Sequence, residues 1–145
     1  MSGTLAIADL MSVSGVSFGT SGARGLAAAM TDQVCYAYTA AFLQHLAAQG
    51  EIRHGSRVAL AGDLRPSTPR ILAACAAAIE DGGYAPVNCG AIPTPAVANW
   101  AMREGIASLM VTGSHIPDDR NGIKFYRPGG EILKADEAAI RARSV

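Results

Sequence analysis

The chain has 145 residues, a length that fits one domain with a real core. Twelve basic residues balance twelve acidic ones, so net charge leaves no footprint for nucleic acid or an anionic membrane as partner. Half of the residues are apolar, which excludes a disordered chain, and no apolar run approaches the roughly 18 residues of a membrane span. The segment Met1 to Phe18 lacks the basic region of a signal peptide. Cys35, Cys75 and Cys89 are odd in number and form no C-x-x-C pair, so they read as small buried apolar residues in a reducing compartment. The expected setting is cytoplasmic.

Val13 to Phe18 reads as a strand, followed by a loop over Gly19 to Gly25 in which three glycines free the backbone. Thr31 is an N-cap candidate with Asp32 favourable to the helix dipole. Val34, Tyr38, Ala41, Phe42 and Leu46 then line one face of a helix that ends before Gly50. Arg57 to Ala61 is a strand, broken by Gly62-Asp63-Leu64-Arg65-Pro66. Thr68 as cap with Pro69 behind it opens a helix that stops at Gly82-Gly83. Tyr84 to Cys89 is a strand, and Pro93-Thr94-Pro95 opens a third helix that Gly105 ends. Ile106 to Thr112 reads as a buried strand. Ile123 to Tyr126 and Glu131 to Leu133 flank a hairpin turn, and Asp136 caps a last helix. Strands alternating with helices after Gly55 predict an α/β domain with right-handed crossovers and a mainly parallel sheet.

Ligands of such sheets bind beyond the carboxyl ends of the parallel strands. Four loops qualify: Gly19 to Gly25, Gly62 to Pro66, Gly90 to Pro95, and Thr112 to Gly122. The last is dense in chemistry. Gly113-Ser114-His115 is not the Gly-x-Ser-x-Gly elbow of a serine hydrolase. No P-loop pattern occurs. His45, His54 and His115 are too scattered for a zinc site, and the first two read as structural or solvated. Asp118 and Asp119 read as turn formers, and Trp100 as packing. Phosphoryl transfer fits better, because it needs a carrier oxygen, cations and positioning. Ser114 offers the oxygen, Arg24, Arg65 and Lys124 the cations, and the helix starts at Thr68 and Thr94 add anion affinity. Arg65 either joins the site or pairs with Asp63.

Phe18-Gly19-Thr20-Ser21-Gly22-Ala23-Arg24-Gly25 resembles the N-terminal signature of the α-D-phosphohexomutases. Thr112-Gly113-Ser114-His115-Ile116-Pro117, followed by Asn121-Gly122-Ile123-Lys124, resembles their active-site serine loop. Gly62-Asp63-Leu64-Arg65 with Pro66-Ser67, and Pro93-Thr94-Pro95, match two further landmarks in family order. The set is most similar to bacterial phosphomannomutases. The resemblance implies a three-layer α/β/α domain with a mixed, mainly parallel sheet. It implies that Ser114 carries a phosphoryl group and exchanges it with a hexose 1- or 6-phosphate through a hexose 1,6-bisphosphate. By the same resemblance Arg24, Lys124 and His115 act at the transferring group. Thr20, Ser21, Arg65 and Asn121 would bind substrate or phosphate, and Mg²⁺ would sit on the Ser114 phosphate.

The family loop usually has Ala before the serine and Asn two residues after it, where this chain has Gly113 and Ile116. Leu64 stands where a small polar residue is common. Family members have four domains, and their metal loop, sugar-selecting loop and terminal phosphate loop lie downstream. The expectation is therefore the first domain, residues 1–145, of a longer mutase, inactive alone and completed by its downstream domains. Phosphoglucomutase and phosphoglucosamine mutase are the sister specificities. A non-catalytic anion-binding α/β module is the reading from another class.

Overall fold

The computed structural model describes residues 3–19, 22–113 and 119–145. Its elements run α1 (Ile7–Ser14), β1 (Ser17–Gly19), β2 (Gly22–Leu26), α2 (Asp32–Ala48), β3 (Arg57–Gly62), α3 (Thr68–Asp81), β4 (Ala85–Asn88), α4 (Thr94–Glu104), β5 (Ala107–Val111), β6 (Arg120–Arg127), β7 (Gly130–Glu131) and α5 (Lys134–Arg141). Among the described residues seven strands form one sheet in the order β1-β2-β6-β5-β3-β4, with β7 paired to β6.

The crossovers predicted after Gly55 produce the parallel pairs β3–β4 and β3–β5. The rest of the sheet is antiparallel: β1–β2, β2–β6, β5–β6 and β6–β7. The sheet is therefore mixed, and its parallel part is confined to the half built from strand–helix–strand units. The antiparallel half arises because β5 returns through the short 112–119 connection, and a connection that short cannot make a parallel crossover.

Two expectations near the N-terminus change. Val13 lies in α1, not in a strand; Ile7, Leu10 and Met11 supply its apolar side, and Gly15 stops it in the left-handed conformation at φ 72°. The segment read as a glycine-rich loop is strand β2 from Gly22 onward, hydrogen-bonded on both sides. Gly22, at φ 152°, lies so close to the Ile123 carbonyl that a Cβ would overlap it. Glycine there serves close strand approach, not loop freedom.

The helices divide unequally between the faces. Residues of α1, α2, α3 and α5 share one core with the inward residues of the sheet, such as Val58, Leu60, Leu109, Val111, Ile123 and Phe125. On the second face Val97 and Ala101 of α4 pack on Ala59, Ala61 and Met110, whose small or flexible side chains let the helix sit close. Helix α4 thus covers β3 and β5. Helix α2 starts at the predicted cap, where the Thr31 side chain accepts the Val34 N–H at 3.3 Å. Helix α3 departs by one residue: Ser67 is the cap position, and Thr68 is already helical. Asp136 caps α5 from its third position by accepting the Leu133 N–H at 2.7 Å, and its other oxygen holds buried His45 Nε2 at 2.7 Å. His45 is structural, as expected. Burial pushes the Cys35 and Cys75 thiols up to about 12, which keeps both inert as nucleophiles.

Phe125 sits at the centre of the larger core, 4.7 Å from the ring of Phe42 and 5.6 Å from that of Phe18. Tyr38 meets Phe18 edge-on at 5.9 Å and donates its hydroxyl to the Val16 carbonyl at 2.6 Å. This aromatic set ties β1, α2 and β6 together. Phe125→Ala is expected to cost about 3–5 kcal/mol, read as a drop in urea midpoint at unchanged slope.

Candidate active site

At the carboxyl ends of β3 and β5, the turn between β3 and α3 builds a polar anchor around Asp63. One Asp63 oxygen accepts the Thr68 hydroxyl at 2.6 Å and the Arg65 N–H at 3.1 Å. The other accepts the Gly113 N–H at 3.0 Å and faces Arg65 Nε at 3.3 Å. Burial alone would raise this carboxyl. The hydrogen bonds from the Thr68 hydroxyl, the Gly113 and Arg65 N–H groups and the Thr112 side chain outweigh it, and hold Asp63 below the usual carboxylate range. The Thr68 hydroxyl that donates to Asp63 accepts from the Asn121 amide at 3.1 Å, and the same amide nitrogen donates to Ser67 at 2.8 Å. Asn121 is fully buried. Its amide joins the start of β6 to the start of α3.

Arg65 is committed in the same way. Beyond Asp63, its Nη1 donates to the Arg120 carbonyl at 3.2 Å, and its side chain is only 12% exposed. Of the two sequence readings of Arg65, the pairing with Asp63 is present. Position alone could not reveal this anchor, because its partners come from residues 63–68, 112–113 and 120–121.

Arg24, which the sequence places in a loop, stands on a strand next to the one that carries Lys124. Arg24 pairs with Gly122 and Gly22 with Lys124 across the β2–β6 ladder. Ala23 and Ile123 face the large core, so strand alternation sends Arg24, Arg120 and Lys124 to the opposite face. The stem of Arg24 lies over Gly122, where a Cβ would press on its Cγ. None of these three cations is ion-paired or hydrogen-bonded through its side chain to another described residue. Arg120 was not singled out by its sequence position; its place two residues along the strand from Gly122 is the signal. An open depression of about 580 Å³ lies alongside, lined in part by Asp63, Leu64, Ile92, Pro93, Thr94 and Met110.

Thr20, Ser21, Ser114 and His115 lie outside the described residues, as do Ile116, Pro117 and Asp118. The chain enters the last of these segments at Gly113 and leaves it at Asp119, between the ends of β5 and β6. Among the described residues no group of three or more His, Cys, Asp or Glu could hold a metal ion, so the described residues do not by themselves fit a Mg²⁺ site. No described helix is long and apolar enough to cross a membrane.

Residues 15–144 match the family model described as phosphoglucomutase/phosphomannomutase, alpha/beta/alpha domain I. A phosphomannomutase of Sinorhizobium fredii is 52% identical over 128 residues, covering 88% of this chain and 27% of that protein. A phosphomannomutase of Salmonella muenchen is 49% identical over 132 residues, 91% of this chain and 27% of its own length. A crystal structure of a phosphoglucomutase/phosphomannomutase family protein from Burkholderia thailandensis superposes with a TM-score of 0.73 at 25% identity, over 94% of this chain and 29% of that one. The chain thus spans about a quarter of the length of the curated relatives it matches. On the family model, the relatives and the fold together, this chain belongs to the phosphoglucomutase/phosphomannomutase family and carries its α/β/α domain I.

Proposed function

We propose that this chain is the phosphoserine-bearing first domain of a longer hexose-phosphate mutase, and that Ser114 carries the phosphoryl group. The observation that carries the reading is the row of cations Arg24, Arg120 and Lys124 on one face of β2 and β6, none with a side-chain partner among the described residues, which runs from Arg120 at the start of β6, next to segment 114–118, inward to Lys124. Phosphoryl transfer asks the protein mainly for charge and position, and this face supplies the charge.

In the forward step the bond between Ser114 Oγ and phosphorus breaks as a free hydroxyl of the hexose monophosphate bonds to phosphorus. The hydroxyl proton leaves with transfer, and the serine oxygen takes one up. The bound 1,6-bisphosphate then turns over, and its other phosphoryl returns to Ser114 by the reverse exchange. Arg24 and Lys124 offset the charge on the moving group, and Lys124 is a proton-handling group within that set. His115, Thr20 and Ser21 contribute substrate and phosphate contacts. Arg65 and Asn121 contribute phosphate or substrate contacts as well as holding the anchor beneath the segment. Mg²⁺ on the Ser114 phosphate would add Lewis-acid charge, with its remaining ligands from outside this chain.

Mannose is the proposed sugar, because two relatives near 50% identity are named phosphomannomutases. A cytoplasmic setting accords with three unpaired cysteines. Turnover of the longer enzyme on mannose 1-phosphate, glucose 1-phosphate and glucosamine 1-phosphate, each with a trace of bisphosphate, tests the reading. A clear preference for mannose 1-phosphate is expected. Preference for another of these sugars would retain the mutase and overturn the mannose assignment. No turnover on any of them, with no label gained from bisphosphate, would favour a non-catalytic anion-binding module.

A further inference from the structure

Segment 114–118 is bracketed by two stems, Gly113 two residues beyond β5 and Arg120 at the start of β6. One side chain from a third element touches both. The Arg65 guanidinium donates to the Arg120 carbonyl at 3.2 Å and faces Asp63 through Nε at 3.3 Å. It also lies against Gly113 so closely that a Cβ on that residue would overlap its central carbon and Nε. Asp63 completes the arrangement by accepting the Gly113 N–H at 3.0 Å.

We propose that Arg65 is a positioning residue, a clamp across the two stems of the serine segment, and that in this chain, where the family loop usually has alanine, glycine at 113 admits the guanidinium in the pose seen here. This inference rests on the mutase reading for its kinetic consequence and on the structure alone for the clamp. Three features of the chemistry support it. First, the guanidinium is planar and presents donors along two edges, so one group can bind a carboxylate and a carbonyl while its flat face covers a backbone. Lysine offers a point charge and cannot do this. Second, the group is largely buried and shares the Asp63 carboxylate with the Gly113 N–H, so displacing it leaves Asp63 with a missing donor. Third, the contact with Gly113 is made by the far end of a flexible side chain. Alanine at 113 would not break the backbone; it would push the guanidinium off both stems.

Arg65→Lys and Gly113→Ala should therefore produce the same defect by opposite routes. Positional errors near 1 Å at a reacting group cost on the order of 100-fold in rate. Each variant of the longer enzyme is expected to lose about 10- to 100-fold in kcat with KM changed by less than about threefold, since only the carrier oxygen is misplaced. The double variant Arg65→Lys/Gly113→Ala should be no slower than the slower single, because both changes remove one contact. Amide hydrogen exchange at Gly113 should quicken in all three proteins. Multiplicative losses in the double variant would overturn the clamp, as would Gly113 exchange unchanged from the parent in both singles. A parent protein with no mutase turnover would sink the mutase reading alone, and the exchange comparison would still decide the clamp.

Discussion

Ser114→Ala in the longer mutase is expected to lower turnover of the preferred hexose 1-phosphate by at least about 10⁴-fold, the scale seen when a covalent carrier is removed. Alanine keeps the segment's size and removes only the oxygen. Thermal midpoint and substrate binding should therefore stay close to the parent, because the cations Arg24, Arg120 and Lys124 and the anchor around Asp63 are untouched. A mutase that used a free phosphate acceptor in place of Ser114 would keep most of its rate in this variant. Single-turnover measurement with bisphosphate separates the cases, since the variant can bind bisphosphate but cannot take a phosphoryl from it.

Asp63→Asn is expected to act on stability and turnover together. The carboxylate holds the Thr68 hydroxyl, the Arg65 and Gly113 N–H groups, and Arg65 Nε. An amide turns one of the two acceptor oxygens into a donor, so at least one of these donors faces another. The expected loss is about 1–3 kcal/mol at pH 7, with a fall in kcat of the size expected for displacement of the clamp. The pH dependence has a definite sign. The folded carboxyl lies below its ordinary value, so its contribution is fully present above the unfolded pKa near 3.9 and is lost as pH falls through the folded value. The stability gap between parent and Asp63→Asn, read by urea unfolding, should be wide at pH 7 and narrow below about pH 4. A gap that is constant with pH would show that the charge is not what holds the anchor.

These two residues also mark where sequence reading succeeds and where it stops. Helix α2 was legible because its information is local: a threonine hydroxyl at the cap, then apolar residues at helical spacing. Strands β3 and β5 were legible because burial on both faces leaves continuous apolar runs. Strand β2 was not, because Gly22 and Gly25 carry no side-chain pattern and its ladder partner begins at Arg120, nearly a hundred residues on. Helix α1 was missed because eight residues hold too few turns to set a period. The candidate carrier Ser114 was legible through motif resemblance, and Arg24 and Lys124 with it. Asp63 looked like a partner for Arg65 and nothing more, since its link to Gly113 exists only once β3 and β5 lie side by side. The same motif groups Asn121 and Arg65 with substrate contacts; their bonds to the stems are added only by the folded arrangement.

The central claim is that Ser114 is the phosphoryl carrier. The most direct test is mass-spectrometric mapping of the longer protein after brief exposure to hexose 1,6-bisphosphate, with phosphatase-treated protein as the starting state. One phosphoryl group per chain, located on Ser114 and released again by added hexose monophosphate, is the expected result. Phosphoryl on another residue with Ser114 unmodified, or none at all in a protein that turns over hexose phosphate, would contradict it.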